Sequence, residues 1–265
     1  HRYPQQVSGL QSSETGGNIE IRRRCTVPAK EKQMCTLSFV PEGDGYVIGM
    51  NRDEQIARPA ALLPERVPIA GGFAIYPREQ SGGTWIAANS MGITLALLNW
   101  YSATPLFPKS RSRGEVIPRL IAAEDSGSVH DQLTKLELQG TLPFRLVGVF
   151  SKERKIAEWR WNQRLLEIQE FPWQRRHWFS SGLSDAEAEK NRGAVCARSS
   201  PDGHSAKQWL RMLHASHENG PGPFSICVHR PDVRSLSYTE VAFAAGKLSF
   251  DYVPHSPCEP MKIEK

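Results

Sequence analysis

No apolar run in this 265-residue chain approaches the ~20 residues that a membrane-spanning helix requires. A helical membrane anchor is therefore not expected. The five cysteines, Cys25, Cys35, Cys196, Cys227 and Cys258, are widely spaced and include no Cys-x-x-Cys pair. That pattern lacks the density of a disulfide scaffold and fits a reducing, cytoplasmic compartment. A glycine-rich phosphate loop, a Gly-x-Ser-x-Gly serine elbow and internal repeats are all missing. No cofactor is expected. Excess charge is slight: of the net +5, the first 33 residues supply +3 from six basic and three acidic side chains. The rest of the chain is near balance, so neither nucleic-acid nor membrane binding follows from charge.

Those first residues differ from the remainder. They include Gln11-Ser12-Ser13-Glu14-Thr15-Gly16-Gly17 and Arg22-Arg23-Arg24, with few apolar side chains. Such a composition buries too little surface to offset its ordering entropy. Residues 1–33 read as a disordered leader or mis-assigned upstream sequence, ahead of one domain over 34–265. A transit peptide is the alternative; Glu14, Glu20 and the lack of an amphipathic period count against it.

The informative stretch starts at Met34-Cys35-Thr36. An initiator methionine is removed ahead of a small residue, so a start at Met34 would leave Cys35 with a free α-amine. An α-amine titrates near neutrality and can take the thiol's proton and return it to a leaving group. Nucleophile and base would then share one residue. The plainer reading is a small buried cysteine in a first strand. Thr36–Val40 reads as that strand, Pro41-Glu42-Gly43-Asp44-Gly45 as a turn and Tyr46–Met50 as a second strand. Such a hairpin returns Asn51-Arg52-Asp53-Glu54 to the side of Cys35.

Met-Cys-Thr, an apolar strand, a Gly-Tyr turn and Asn51-Arg52-Asp53-Glu54 resemble the NRDE family, related to the transport-and-Golgi-organisation proteins. Ser81-Gly82-Gly83-Thr84-Trp85 and Gly92-Ile93-Thr94-Leu95-Ala96-Leu97-Leu98-Asn99-Trp100 add a second matching block. The resemblance covers about residues 34–260. It implies an α+β fold, the four-layer α/β/β/α sandwich of N-terminal-nucleophile (Ntn) hydrolases, with distant kinship to choloylglycine and penicillin V hydrolases. It also implies site residues: Cys35 as nucleophile, Asn51 and Asp53 at the end of the second strand, and Asn99 after a Gly-led apolar strand. The relatives' later asparagine has no match here, where Phe179-Ser180-Ser181-Gly182 stands, and their late arginine aligns only loosely with Arg230.

Along the remaining chain, proline-rich Arg58–Pro68 reads as a loop, and Gly71-Gly72 opens a short strand to Tyr76. Gly82 and Gly83 form a tight turn, either simple or passing close to a ligand. Trp85–Asn89 and Ile93–Asn99 form a hairpin whose second strand is apolar at nearly every position and so buried on both faces. A helix is expected over Gly114–Glu124, and another through Leu138 capped by Ser126 or Ser128. Phe144–Phe150 and Ile156–Trp161 read as a hairpin, and Leu165–Ile168 and His177–Ser181 as strands. Helices follow from Ser184 and over His204–His217. Phe224–His229, Ser235–Phe243 and Lys247–Tyr252 close the chain as strands. Two weaker constellations remain. His214 and His217 stand at helical i, i+3, as surface or core histidines or as two ligands on one face. Cys227 and His229 alternate on a strand, as core or as a dyad.

The reading is a cysteine Ntn amidohydrolase acting on a small amide or related acyl substrate. Cys35 attacks, Asp53 anchors the α-ammonium or orients it, Asn99 with a backbone N–H stabilises the oxyanion, and Arg52 either holds the thiolate or is structural. Asn51 supports the turn. The competing class is a non-catalytic protein on the same fold, handling lipid or haem or serving trafficking. The substrate and the oligomeric state are not legible.

Overall fold

The computed structural model describes residues 34–218 and 220–260. The expected leader over residues 1–33, with Cys25, lies outside the described residues. Two antiparallel sheets make the frame. The first orders its strands β10-β1-β2-β11-β12, with β1 at Met34–Glu42, β2 at Gly45–Gln55, β10 at Arg176–Ser181, β11 at Val233–Ala244 and β12 at Lys247–Val253. The second runs β3 to β9 in chain order. Its strands are β3 at Leu62–Ile69, β4 at Gly72–Arg78, β5 at Ile86–Asn89, β6 at Ile93–Asn99, β7 at Phe144–Phe150, β8 at Lys155–Trp161 and β9 at Leu166–Phe171.

Alternation along each strand sorts its side chains into layers. Leu37 and Phe39 of β1 and Ile48 and Met50 of β2 face the second sheet. There they meet Ala96 and Leu98 of β6 and Val147 and Val149 of β7. The opposite face of β6 sends Leu95 and Leu97 to Val116, Ile117 and Leu120 of α1 (Val116–Leu120) and Val129 and Leu133 of α2 (Ser126–Lys135). The opposite face of the first sheet sends Val40 and Val47 to α3 (Asp185–Arg198) and α4 (Ala206–His214), through Ala188, Val195, Trp209 and Leu213. Three apolar clusters between four layers make this the α/β/β/α sandwich of an α+β protein.

Several expectations are corrected. Arg58–Pro68 contains strand β3 instead of a loop. β3 is the edge of its sheet, where Pro64 and Pro68 forgo no ladder bond that the sheet depends on, and its register breaks between Leu62 and Glu65. The helix expected over Gly114–Glu124 is α1 alone, preceded by a 3₁₀ turn at Arg113–Glu115, although Val116, Ile117, Leu120 and Ile121 are all buried as its spacing requires. α2 is capped by Asp125, not by either serine: its carboxylate accepts from the Ser128 N–H at 2.7 Å. Phe224–His229 is no strand. Both edges of β2 are already taken, by β1 and β11, so this segment closes on local bonds and two isolated bridges. Among the described residues no helix is long and apolar enough to cross a membrane.

Candidate active-site cleft

The β1–β2 hairpin aligns Cys35 with Arg52 and Met34 with Asp53. β2 runs on to Gln55, so Asn51, Arg52, Asp53 and Glu54 are strand residues. Pleating therefore divides the four. Arg52 and Glu54 share the Cys35 face, and Asn51 and Asp53 share the helix face with Thr36. On the first face a cleft opens between the sheets. Cys35, Arg52, Glu79, Trp85, Asn99 and Arg113 are among its walls.

Arg52 is pinned. One of its amino groups donates to Glu54 at 3.3 Å and to Glu79 at 2.9 Å, and its guanidinium lies 4.5 Å from the centre of the Trp85 ring. Arg58 closes the network on the same two carboxylates at 2.9 and 3.1 Å. These bonds hold Arg52 in place, and from the same strand face its charge favours the Cys35 thiolate. Gly82 and Gly83 serve the same network from outside. Gly82 adopts φ +90°, which disfavours any side chain, and its N–H bonds to Glu79 O at 2.8 Å. Gly83 sits so close to Gly114 that a Cβ would meet the Gly114 Cα at 3.0 Å. The glycine turn thus aims Glu79 at Arg52.

The Cys35 thiol, 7% exposed, is pushed up to about 12. Burial is the main cause, and the negative charge of Asp53 adds to it. With residue 34 attached, this thiol stays protonated at neutral pH. Ser180 of β10 pairs with Cys35 across β1 and shares its face, and the Ser180 hydroxyl is buried without a hydrogen-bond partner. Ser181 instead turns to the helix side, toward Met34 Sδ at 3.2 Å. Asn99 borders the cleft from the end of β6, on the strand face of Leu97, and its amide donates to the Tyr101 hydroxyl at 2.8 Å.

On the helix face Asp53 meets a residue that sequence reasoning passed over. Arg192 of α3 is wholly buried, 3.7 Å from Asp53 Oδ2, and it donates to Thr36 Oγ1 at 3.0 Å and to the Cys35 carbonyl at 3.4 Å. Ser235 of β11 donates to Asp53 Oδ1 at 2.6 Å, while Oδ2 has no hydrogen-bond partner. Burial raises the Asp53 carboxyl to about 7, against the pull of Arg192. The signal for Arg192 is its spacing: Ala188, Arg192, Val195 and Cys196 form the buried stripe of α3, and a charge on that stripe requires a buried partner. Arg230, the arginine weighed from sequence, instead pairs with Asp232 at 3.0 Å.

Asn51 does not support a turn. Its amide donates to the carbonyls of His214 at 2.8 Å and Ile226 at 3.0 Å, tying β2 to the end of α4. Those two bonds fix the amide's orientation, so Asn51 Oδ1 accepts from His214 Nδ1 at 3.1 Å. His214 Nε2 must then accept from the Ser38 hydroxyl at 2.9 Å, which leaves Ser38 to accept from His177 Nδ1 at 2.8 Å. One orientation of protons satisfies the whole chain with both rings neutral. Burial holds His214 down to about 3 and His177 to about 4. His217, beyond the end of α4, leaves this network and meets His229 edge-on, with ring centres 4.7 Å apart, so His214 and His217 do not act together.

The sequence model of Transport and Golgi organisation 2 matches residues 34–230. The chain belongs to that family. No curated protein sequence matches it. Among solved structures, penicillin V acylase from Agrobacterium tumefaciens is similar at 8% identity and TM-score 0.44, covering 83% of this chain and 86% of that one. A mutant of conjugated bile acid hydrolase from Clostridium perfringens gives 8% identity and TM-score 0.47, covering 85% and 94%. A second variant of that hydrolase gives 8% and 0.46 over the same shares. The family match begins at Met34, the residue before the cleft cysteine.

Proposed function

We propose that this member of the family is a cysteine amidohydrolase whose mature chain begins at Cys35. The carrying observation is the register of Met34-Cys35 against Asp53-Arg52. It sets the thiol on the cleft wall. It also brings residue 34 opposite Asp53, whose buried carboxylate Oδ2 has no hydrogen-bond partner. An α-ammonium at residue 35 supplies that partner, and its positive charge favours the Cys35 thiolate against burial and the charge of Asp53.

In this reading the thiol's proton already resides on the α-amine, as the ammonium, and the Cys35 thiolate attacks the amide carbon. Asn99 and the Ser180 hydroxyl, with a backbone N–H, donate to the oxyanion. The amine then protonates the departing nitrogen, leaving a thioester on Cys35. Water attacks the thioester and releases the acid, restoring the thiol. Arg192 holds Asp53 and the Cys35 carbonyl in place and touches no reacting atom. The substrate is a small acyl amide bearing polar or charged groups, because Arg52, Glu54, Glu79 and Arg113 line the cleft against little more than Trp85 and Leu97. The same lining disfavours the lipid- or haem-handling alternative, which requires a mainly apolar wall. A cytoplasmic, reducing setting keeps the thiol available.

The test uses a panel of acyl amides and acyl-amide probes on a chain beginning Met34-Cys35, with intact-mass and peptide mapping. Processing to Cys35 and a single acyl adduct on that residue are expected, and Cys35→Ser abolishes the adduct. Adducts on Cys196 or Cys258, or none across a broad panel with Cys35 processed, would turn the argument to the binding-protein reading.

A further inference from the structure

We propose that His217, Cys227, His229 and Cys258 form a zinc-binding site, separate from the cleft. Each offers one ligating atom, and all four atoms lie within 4.8 Å of one another. Cys227 Sγ is 3.6 Å and Cys258 Sγ 3.3 Å from His229 Nε2. Zinc bonds of ~2.3 Å to sulfur and ~2.0–2.1 Å to nitrogen place tetrahedral ligands about 3.6 Å apart, so the cluster needs little contraction to close on an ion. His217 Nε2 is buried with no hydrogen-bond partner, a cost that a metal bond removes. Neither cysteine is in a disulfide. Two sulfurs and two imidazoles select zinc over the oxygen-preferring magnesium, calcium and manganese. Four protein ligands leave no open position, which assigns a structural role.

The local fold gives the ion a task. Three ligands come from the stretch between α4 and β11, which has no ladder of its own, and the fourth from the tail after β12. The Cys227 N–H bonds to Ser216 O at 3.2 Å and the His229 N–H to Gly222 O at 3.2 Å, scattered contacts in place of a sheet. Between the two ligands, the Val228 N–H donates to Ser235 Oγ at 2.8 Å, and Ser235 is the residue that donates to Asp53. Zinc here clamps the loop that seats the hydrogen-bond partner of Asp53. Binding converts two thiols to thiolates and releases two protons, and the ion, two thiolates and two neutral imidazoles sum to zero charge.

The full chain, purified without chelator under reducing conditions, is analysed by inductively coupled plasma mass spectrometry. About one zinc per chain is expected, retained in Cys35→Ser and Cys196→Ser and lost in Cys258→Ser and His217→Gln. Chelator-stripped wild type titrated with cobalt gives the intense visible bands of tetrahedral thiolate coordination, saturating at one ion per chain. This arm decides the matter even where a variant fails to fold. Wild type with free thiols that binds neither metal would overturn the site. Metal retained in both ligand variants, or a Cys227–Cys258 disulfide in protein alkylated at lysis, would overturn it equally. None of these outcomes bears on the role of Cys35.

Discussion

Arg192 carries a full charge with no solvent around it, and its partners are one carboxylate, one hydroxyl and carbonyls. Removing one member of such a buried pair strands the other. Arg192→Leu is expected to lose ~3–5 kcal/mol of unfolding free energy in urea titrations, more than most single substitutions. A loss under ~1 kcal/mol would mean that Asp53 is already neutral without it. In the proposed mechanism Asn99 belongs to the chemistry instead. If it donates to an oxyanion that exists mainly in the transition state, Asn99→Ala lowers kcat by ~10²–10³-fold with KM little changed. A change confined to KM would make Asn99 a substrate contact. At this scale sequence pattern went only part of the way. Cys35, Arg52 and Asn99 are legible as cleft residues because a hairpin and a buried strand end place them. The separation of Asp53 from Arg52 onto opposite faces follows from strand pleating once β2 is known to continue through Asn51–Glu54.

At the scale of elements, β1, β2, β10 and α4 are joined by the chain Asn51–His214–Ser38–His177, whose bonds are all made with both rings neutral. Both histidines have folded pKa values below the ordinary ~6.5, about 3 and about 4. Their contribution is complete above ~6.5 and is lost as pH falls toward those values. Asp53 runs the other way. Raised to about 7, it contributes fully below its ordinary ~4, and that contribution is lost as pH rises through 7. Between pH 6.5 and 4 two protons oppose folding and one favours it. In the chain retaining Met34, Asp53→Asn should therefore lose stability with acidification more steeply than wild type, by about 1.4 kcal/mol per pH unit. Equal slopes in urea melts at pH 6 and 5 would contradict the buried, protonatable Asp53. Element reading from sequence succeeded where period and burial agree, as in Ile93–Asn99 and the hairpin Phe144–Trp161. It failed at β3, where proline suggested a loop because edge position is not visible locally. It failed again at Phe224–His229, where a strand-like pattern had no free sheet edge to join.

For the whole molecule, four layers leave the cleft between the sheets, with the start of β1 opening into it. In the proposed mechanism the decisive variable is whether the nitrogen of residue 35 is an amine or an amide. The alkylation rate of Cys35 by iodoacetamide across pH, mapped by peptide mass, tests this most directly. Two chains are compared, one processed to Cys35 and one shown by mass to retain residue 34. With residue 34 in place, the buried thiol, pushed up to about 12, should label slowly throughout the neutral range. Once processed, Cys35 should label first among the cysteines, with a midpoint below the ~8.5 of an ordinary thiol. Identical profiles for the two chains, or faster labelling of Cys196 or Cys258 in the processed one, would contradict the account.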